Sequence, residues 1–330
     1  MEQNENTESH QPKETHTVNE THHSNSHENH VKPKKHENFG SWYDQHYKRM
    51  LLIPIILLVL SLGYLGYFYS QNNDFFLKDA SLAGGSTITI FENIDDLTQE
   101  SIESGLKTQF PDILVRKLTD LTTGNINAYI IETSAESDVL KLALEEFLGY
   151  PLDANNSTIE FTGPSLSKSF YQQLIIALII SFVLMSIAIF VIFRTFIPSI
   201  AVIFAAFSDI IMPLALINIL GIRLSAAGIA AFLMLIGYSV DTDVLLTTRA
   251  IRTKGGTINS RILRAFKTGS FMTSTAIVAV LPAFLIVSSL PDTFRQIFLI
   301  LSIGLFADLI NTWLGNASII KWYCERKKIQ

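Results

Sequence analysis

Residues 172–193 read QQLIIALIISFVLMSIAIFVIF, an unbroken apolar run without one charged side chain. About 20 such residues in a helix cross a hydrocarbon core about 30 Å thick. Similar runs lie at 50–69, 197–219, 225–248, 269–289 and 296–320. Backbone groups inside lipid must pair within their own segment, so each run is expected to be a transmembrane helix. Pro54, Pro198, Pro213 and Pro282 fall inside these runs. Neighbouring helices re-satisfy the groups a proline frees, so the prolines do not defeat the assignment.

The material around the spans differs in kind. Residues 1–47 are polar, hold all eight histidines (His10 to His46) and show no apolar periodicity; they are expected to form a disordered tail. The first span, within 48–70, follows that tail with no cleavage-site pattern after it, so it reads as a retained signal anchor. The lone cysteine, Cys324, permits neither a disulfide within the chain nor a cysteine metal site. The basic residues stand between apolar runs rather than on a soluble module, which argues against nucleic-acid binding.

Lys and Arg in short loops set orientation. Lys48 and Arg49 precede the first span, and Arg194 lies between the second and third. Six cations from Arg249 to Lys267 lie between the fourth and fifth, and Lys321, Arg326, Lys327 and Lys328 follow the sixth. An even number of spans puts all four groups on one side. That side, with both termini and the basic tail 323–330, is expected to be cytoplasmic. The remaining spans lie within 169–322.

Segment 71–168 is then extracytoplasmic. It carries about 16 acidic and 6 basic residues. Ser86–Glu92 alternates as a strand does, and 113–118, 126–132 and 157–161 are strand-like too. Leu97, Ile102, Leu106 and Phe110 line one face of a helix that Asp95 or Asp96 would start. A second helix over 137–148 would turn Val139, Leu142, Ala143 and Phe147 inward. The order β-α-β-β-α-β predicts an α+β, ferredoxin-like domain. Asn155 and Asn156 each open an N-x-[ST] sequon. Without His or Cys, this domain offers no catalytic constellation, so neither an enzyme nor a cofactor is expected.

Candidate functional residues lie inside the spans: Asp209 in the third, Asp241 and Asp243 in the fourth, and Asp308 in the sixth. Carboxyls at membrane depth are costly and usually face a bundle interior or wet cavity on a proton or ion path. Low-dielectric surroundings favour a neutral carboxyl, which is the basis for a proton-relay hypothesis. Asp241 and Asp243 are about 200° apart around a helix, so they cannot face one partner. Asp241 is expected to face the interior, and Asp243 to approach Arg249 or Arg252. Asn218, Asn311 and Asn316 are the available donors.

Four segments carry a family resemblance: Ala83-Gly84-Gly85-Ser86-Thr87; Phe161-Thr162-Gly163-Pro164-Ser165-Leu166; Gly237-Tyr238-Ser239-Val240-Asp241-Thr242-Asp243; and Met272-Thr273-Ser274. With the order of parts, they resemble the SecD/SecF family of the RND-type superfamily, on its SecF side and in an archaeal-like form. The resemblance covers about 48–322. It implies a role in protein export beside a SecD-like membrane subunit and a SecY-type translocon, acting on the translocating polypeptide with proton flow as the drive. Bacterial relatives have Asn-Asp where this chain has Asp241-Thr242, and their span-five arginine falls on Gly269, so their acid–arginine pair is not reproduced. A half-size RND exporter of lipids or small hydrophobic molecules, or a passive translocon scaffold, are the alternatives.

Overall fold

The computed structural model describes residues 36–91, 97–119, 123–253, 255–286 and 292–328. Six of its helices are long and apolar enough to cross a membrane: Tyr43–Asn72, Pro164–Phe193, Phe196–Ile219, Ala226–Arg252, Ile258–Leu285 and Phe294–Arg326. Each contains most of an expected span, and several run further. Most of the expected tail, 1–35, lies outside the described residues. From His36 onward the chain is helical: α1 (His36–Met50) leads into α2 (Leu52–Asn72), and Tyr43 and Tyr47 of α1 are buried.

The other spans are α6 (Pro164–Phe193), α7 (Phe196–Ile219), α8 (Ala226–Arg252), α9 (Ile258–Ile286) and α10 (Asp292–Ile310). The last continues through a π-helical segment, Asn311–Asn316, into α11 (Ala317–Arg326). The cationic loop expected over 249–267 is mostly helix, because α8 runs to Arg252 and α9 begins at Ile258. About half of α7, α8 and the sixth span is buried, against 17% or less for the other three. The first group therefore forms the core of the bundle. Small residues permit this: Ala201, Ala205 and Ala206 of α7 are fully buried, and a Cβ on Gly304 would lie 2.3 Å from Leu235.

Lys321, 1% exposed, closes the bundle at the end remote from the inserted domain. It pairs with Asp44, donates to Asn259 Oδ1 at 2.7 Å, and lies 4.5 and 5.0 Å from the ring centroids of Tyr43 and Tyr47. Cation–π contact and an acidic partner are what a buried ammonium needs.

Between α2 and α6 lie α3 (Ala80–Ala83), β1 (Gly85–Ile90), α4 (Gln99–Leu106), β2 (Leu114–Thr119), β3 (Ile126–Thr133), α5 (Ser137–Leu148) and β4 (Ser157–Thr162). The strands form one antiparallel sheet in the order β2-β3-β1-β4. Ile88, Ile90, Tyr129 and Ile131 face α4 and α5 in a common core. Leu97, Ile102, Leu106 and Phe110 pack there as expected. The expected start at Asp95 or Asp96 lies outside the described residues; Thr98 caps α4 in a capping box with Ser101. The inward face of α5 differs from expectation. Leu140 and Leu144 are buried, whereas Val139 and Leu142 are more than half exposed. The helix carries two apolar stripes, and the leucines at i, i+4 and i+8, ending on Leu148, take the sheet side. Of the two sequon asparagines, Asn156 is buried and donates to the Pro151 carbonyl at 2.8 Å, whereas Asn155 is exposed.

The junction between sheet and bundle explains two glycines of the family motif. A Cβ on Gly85 (φ 135°) would lie 2.2 Å from the Thr133 carbonyl oxygen, and one on Gly84 (φ 90°) would lie 2.7 Å from Pro164 Cα. The two motif segments thus touch, and only glycine permits it. Gly163 has open space around it. Leu77 and Asp79 exchange backbone hydrogen bonds with Leu224 on the α7–α8 loop. Glu132, 1% exposed, pairs with Arg116 in the sheet and with Arg223 of that loop at 3.2 Å. Asp79 accepts hydrogen bonds from the Ser81 and Leu82 amides and from the Ser81 hydroxyl at 2.6 Å.

Gly85→Ala is expected to cost about 1–3 kcal/mol through its strained backbone alone, with Gly163→Ala neutral. Thermal unfolding of the purified chain checks this, and equal midpoints for the two variants would contradict the close approach. Burial, reinforced by the Glu132 charge, pushes the Asp79 carboxyl up to about 7. A raised carboxyl pKa means the folded junction holds its proton more tightly than the unfolded chain. That stabilisation is complete below the ordinary carboxylate range and is lost as pH rises toward 7. The protection factors of residues 77–84, exchange corrected for its intrinsic rise with pH, should therefore fall between about pH 4 and 7, and Asp79→Asn should flatten the change.

Candidate functional site: a polar centre inside the bundle

Asp209, Asp243 and Asp308 meet in the core of the bundle, all at most 1% exposed. Three helices supply them. On α7, Asp209 stands four residues before Pro213, which has no N–H to offer the Asp209 carbonyl. On α8, the inward face runs through Leu235, Ser239, Thr242, Asp243 and Leu246. On the sixth span, Asp308, Asn311, Thr312 and Asn316 recur at helical spacing on one side, and the last three lie in the π-helical segment. Such segments are rare and concentrate at functional sites.

The side chains form two connected groups. Asp209 takes a hydrogen bond from the Ser239 hydroxyl through one oxygen, and from Asn311 Nδ2 at 2.6 Å through the other. Asp243 Oδ1 accepts from Thr312 Oγ1 at 2.9 Å and Asn316 Nδ2 at 2.8 Å. Thr312 Oγ1 also lies 3.1 Å from Asp308 Oδ1, and Thr273 of α9 donates to Asp308 Oδ2 at 3.3 Å. Thr312 therefore links two carboxyls, and the centre ties four helices together. Among the described residues it contains no Lys or Arg. Asp243 Oδ2, Asn311 Oδ1 and Asn316 Oδ1 are buried without a hydrogen-bond partner. The centre is thus richer in acceptors than in donors.

Three of the four expected carboxyls come together, and Asp241 does not. It is exposed, on the opposite side of α8 from Asp243. The assignment of faces is therefore reversed, and the reason is helical phase. Ala231, Leu235, Ser239 and Thr242 are all fully buried, and that stripe leads to Asp243 and away from Asp241. This apolar-to-polar stripe was the available signal. Asp243 meets neither arginine: Arg249 donates to the Arg264 carbonyl at 3.0 Å and to Thr268 Oγ1 at 2.7 Å, and Arg252 donates to the Ile192 carbonyl. Asn311 and Asn316 serve as donors, as expected. Asn218 instead accepts from the Leu77 amide at the junction, at 3.2 Å. Ser239, Thr273 and Thr312 were not anticipated as direct carboxyl partners.

The family motif divides by the same phase. Ser239 and Thr273 face inward, whereas Gly237 and Ser274 are exposed, and the Tyr238 hydroxyl donates to the Met272 carbonyl at 2.8 Å. Positions 242 and 269, where the bacterial acid and arginine would fall, are neighbours. A Cβ on Gly269 would lie 3.2 Å from Thr242 Cγ2 and 2.6 Å from Trp313 Cζ2. Trp313 occupies the space beside Gly269, and the carboxyl sits one residue further along α8, on Asp243.

A bundle of six apolar spans with an inserted α+β domain and a buried carboxyl cluster defines a multi-pass helical membrane protein. A family model for the protein export membrane protein SecD/SecF C-terminal region matches residues 145–326. A protein-export membrane protein SecF from Methanolacinia petrolearia is 36% identical over 282 residues, covering 84% of this chain and 94% of that protein. One from Methanothermobacter thermautotrophicus is 37% identical over 289 residues, covering 84% and 93%. The crystal structure of SecDF, a translocon-associated membrane protein from Thermus thermophilus, shares the fold at a TM-score of 0.69 and 18% identity. That match covers 86% of this chain and 38% of the longer one. The chain belongs to the SecD/SecF family, among its SecF protein-export membrane proteins.

Asn311→Leu, which removes a donor from Asp209, is expected to cost about 1 kcal/mol, the scale of a hydrogen bond between membrane helices. Asp241→Asn, on the exposed face, should not destabilise the chain. Unfolding in mixed micelles measures both, and equal destabilisation would contradict the division of faces.

Proposed function

We propose that the chain is an accessory subunit of Sec-type protein export that works with a SecD-like second chain at a SecY-type translocon, on the translocating polypeptide. Family membership supplies the export role. The observation within the molecule that supports coupling to a proton gradient is the donor-poor cluster of Asp209, Asp243 and Asp308. A proton on a carboxyl turns an acceptor into a donor, and it is the smallest species that could supply what Asp243 Oδ2 lacks. Loading or unloading such a proton would change which of the four helices hold to one another.

The outward face of α8 supports the need for a second chain. Ala230, Met234, Gly237 and Asp241 are exposed at i, i+4, i+7 and i+11, a stripe of small, flexible and acidic residues along a span. A carboxyl facing lipid is costly, and small residues favour close helix contact. Sites in repeat-built transporters commonly lie between repeats.

The inserted domain, 71–168, is taken as extracytoplasmic and ferredoxin-like. Its element order, and the antiparallel order in which each βαβ unit is split by a strand of the other, support that reading. Both termini are assigned to the cytoplasmic side by the positive-inside rule.

The test is export into membrane vesicles that carry the native partner, with and without an imposed proton gradient. Asp209→Asn, Asp243→Asn and Asp308→Asn should each reduce the gradient-stimulated rate toward the unstimulated one. If all three variants export as the unaltered chain does, the subunit is a passive scaffold.

A further inference from the structure

β4 (Ser157–Thr162) is an edge of the sheet, bonded to β1 and, among the described residues, to no strand on its other side. Hydrogen-bond alternation fixes which backbone groups that free side holds. Phe91 donates to the Asn156 carbonyl at 3.0 Å. In the register from Gly85↔Thr162 to Ile90↔Ser157, the residues bonded to β1 are then Thr158, Glu160 and Thr162. The N–H and C=O groups of Ile159 and Phe161 therefore point outward. The Ser157 amide agrees, because it donates away from β1, to the Asp153 carbonyl at 2.9 Å. Thr158, Ile159, Glu160 and Phe161 are all exposed.

The two edges of the sheet differ. β2 carries Arg116 and Lys117 and breaks register between Leu118 and Thr119, and cations and bulges keep an edge from pairing. β4 has neither: its register is unbroken, and its sequence, STIEFT, contains no Lys, Arg or Pro. Its side chains supply an apolar strip instead. Ile159 lies opposite Ile88 and Phe161 opposite Ser86, on the face that α4 and α5 cover, yet both stay exposed. The strand then passes through Gly163 into the span Pro164–Phe193, so this edge ends where a span begins.

We propose that the free edge of β4 binds an extended segment of the translocating polypeptide as a fifth strand, with alternate apolar side chains of that segment on Ile159 and Phe161. The proposal rests on the export role. Main-chain pairing selects an extended backbone and takes its specificity only from alternate side chains. That suits a client of varied sequence that has not yet folded. Area points the same way. β4 offers six residues, whereas a stable interface takes about 20–30 residues a side. The edge is therefore sized to hold a passing chain and release it, rather than to fasten a folded domain or a second copy.

The test is residue-resolved hydrogen exchange of the full chain in mild detergent, with and without a short peptide of alternating Val and Thr. Exchange at the Ile159 and Phe161 amides should slow, while the Thr158 and Glu160 amides, already bonded to β1, should not change. The same peptide N-methylated throughout should protect neither. Ile159→Pro, which removes a donor that β1 does not use, should weaken peptide binding about fivefold, the scale of one hydrogen bond. Phe161→Thr, which keeps strand propensity, should weaken it at least as much. A photo-crosslinking side chain at 161, in native vesicles holding an arrested export intermediate, should capture the arrested chain. Protection that is uniform across β4, or absent, would overturn strand addition. So would equal binding of the N-methylated peptide, or unchanged binding in both variants. Adducts to the second chain's inserted domain, or to a second copy, would overturn the choice of occupant. The export role itself is read separately, from gradient-stimulated transport, and would survive that result.

Discussion

Three carboxyls buried among membrane helices, with no Lys or Arg beside them among the described residues, set the terms for the rest of this molecule. A carboxyl at membrane depth costs a few kcal/mol even on lenient scales, so the bundle must hold donors around each one. It does so with short polar side chains. Ser239, Thr273, Thr312, Asn311 and Asn316 come from three helices and reach Asp209, Asp243 and Asp308 at hydrogen-bond distance. Those helices must approach closely, which accounts for the alanines of α7 and for Gly304 against Leu235. The π-helical segment belongs to the same solution, because it carries three of the donors on one side of a span. Polar chemistry in the core and small residues around it are one constraint seen twice.

The inserted domain is joined to that core by short polar links. Glu132 binds Arg223, and Gln296 of α10 binds the same loop: its amide donates to the Arg223 carbonyl at 2.5 Å and its oxygen accepts from the Ser225 amide at 2.8 Å. The sixth span therefore runs from the sheet junction at Gln296 to the carboxyl centre at Asp308 and on to the Lys321 site. A change in how the carboxyls hold that span has a continuous packed route to the domain. The links are few and partly electrostatic, so the junction can respond to pH without disturbing the sheet's own core.

Much of this was legible in the residues, and what was not has physical causes. Span positions follow from apolar length alone, and the strand order from alternation and turns. Helical phase was the weak point. On α5 two apolar stripes compete, and only packing against the sheet selects Leu140 and Leu144 over Val139 and Leu142. On α8 two aspartates lie on opposite faces, and their separation of about 200° alone does not say which one turns inward, whereas the buried stripe ending in Ser239 and Thr242 leads to Asp243. Asn311 and Asn316 were legible as donors, but the π-helical segment leaves no composition signal, so the part played by Thr312 beside them appears only in the structure. The helix over 36–47 was hidden by its polarity: its buried Tyr43 and Tyr47 are held by Lys321, far along the chain. Gly84 and Gly85 were visible as a motif, but their reason, two backbones in contact, appears only in three dimensions.

The outward stripe of α8 bears most directly on whether this chain acts as one half of a larger unit. The decisive measurement places a photo-crosslinking side chain at position 237, in open space on that stripe, and identifies its adducts in native membranes by mass spectrometry. A second multi-span chain with a related inserted domain, captured at 237 and lost when the label sits on the outward face of α6, is the predicted result. Adducts to lipid alone, or to a second copy of this chain, would contradict it.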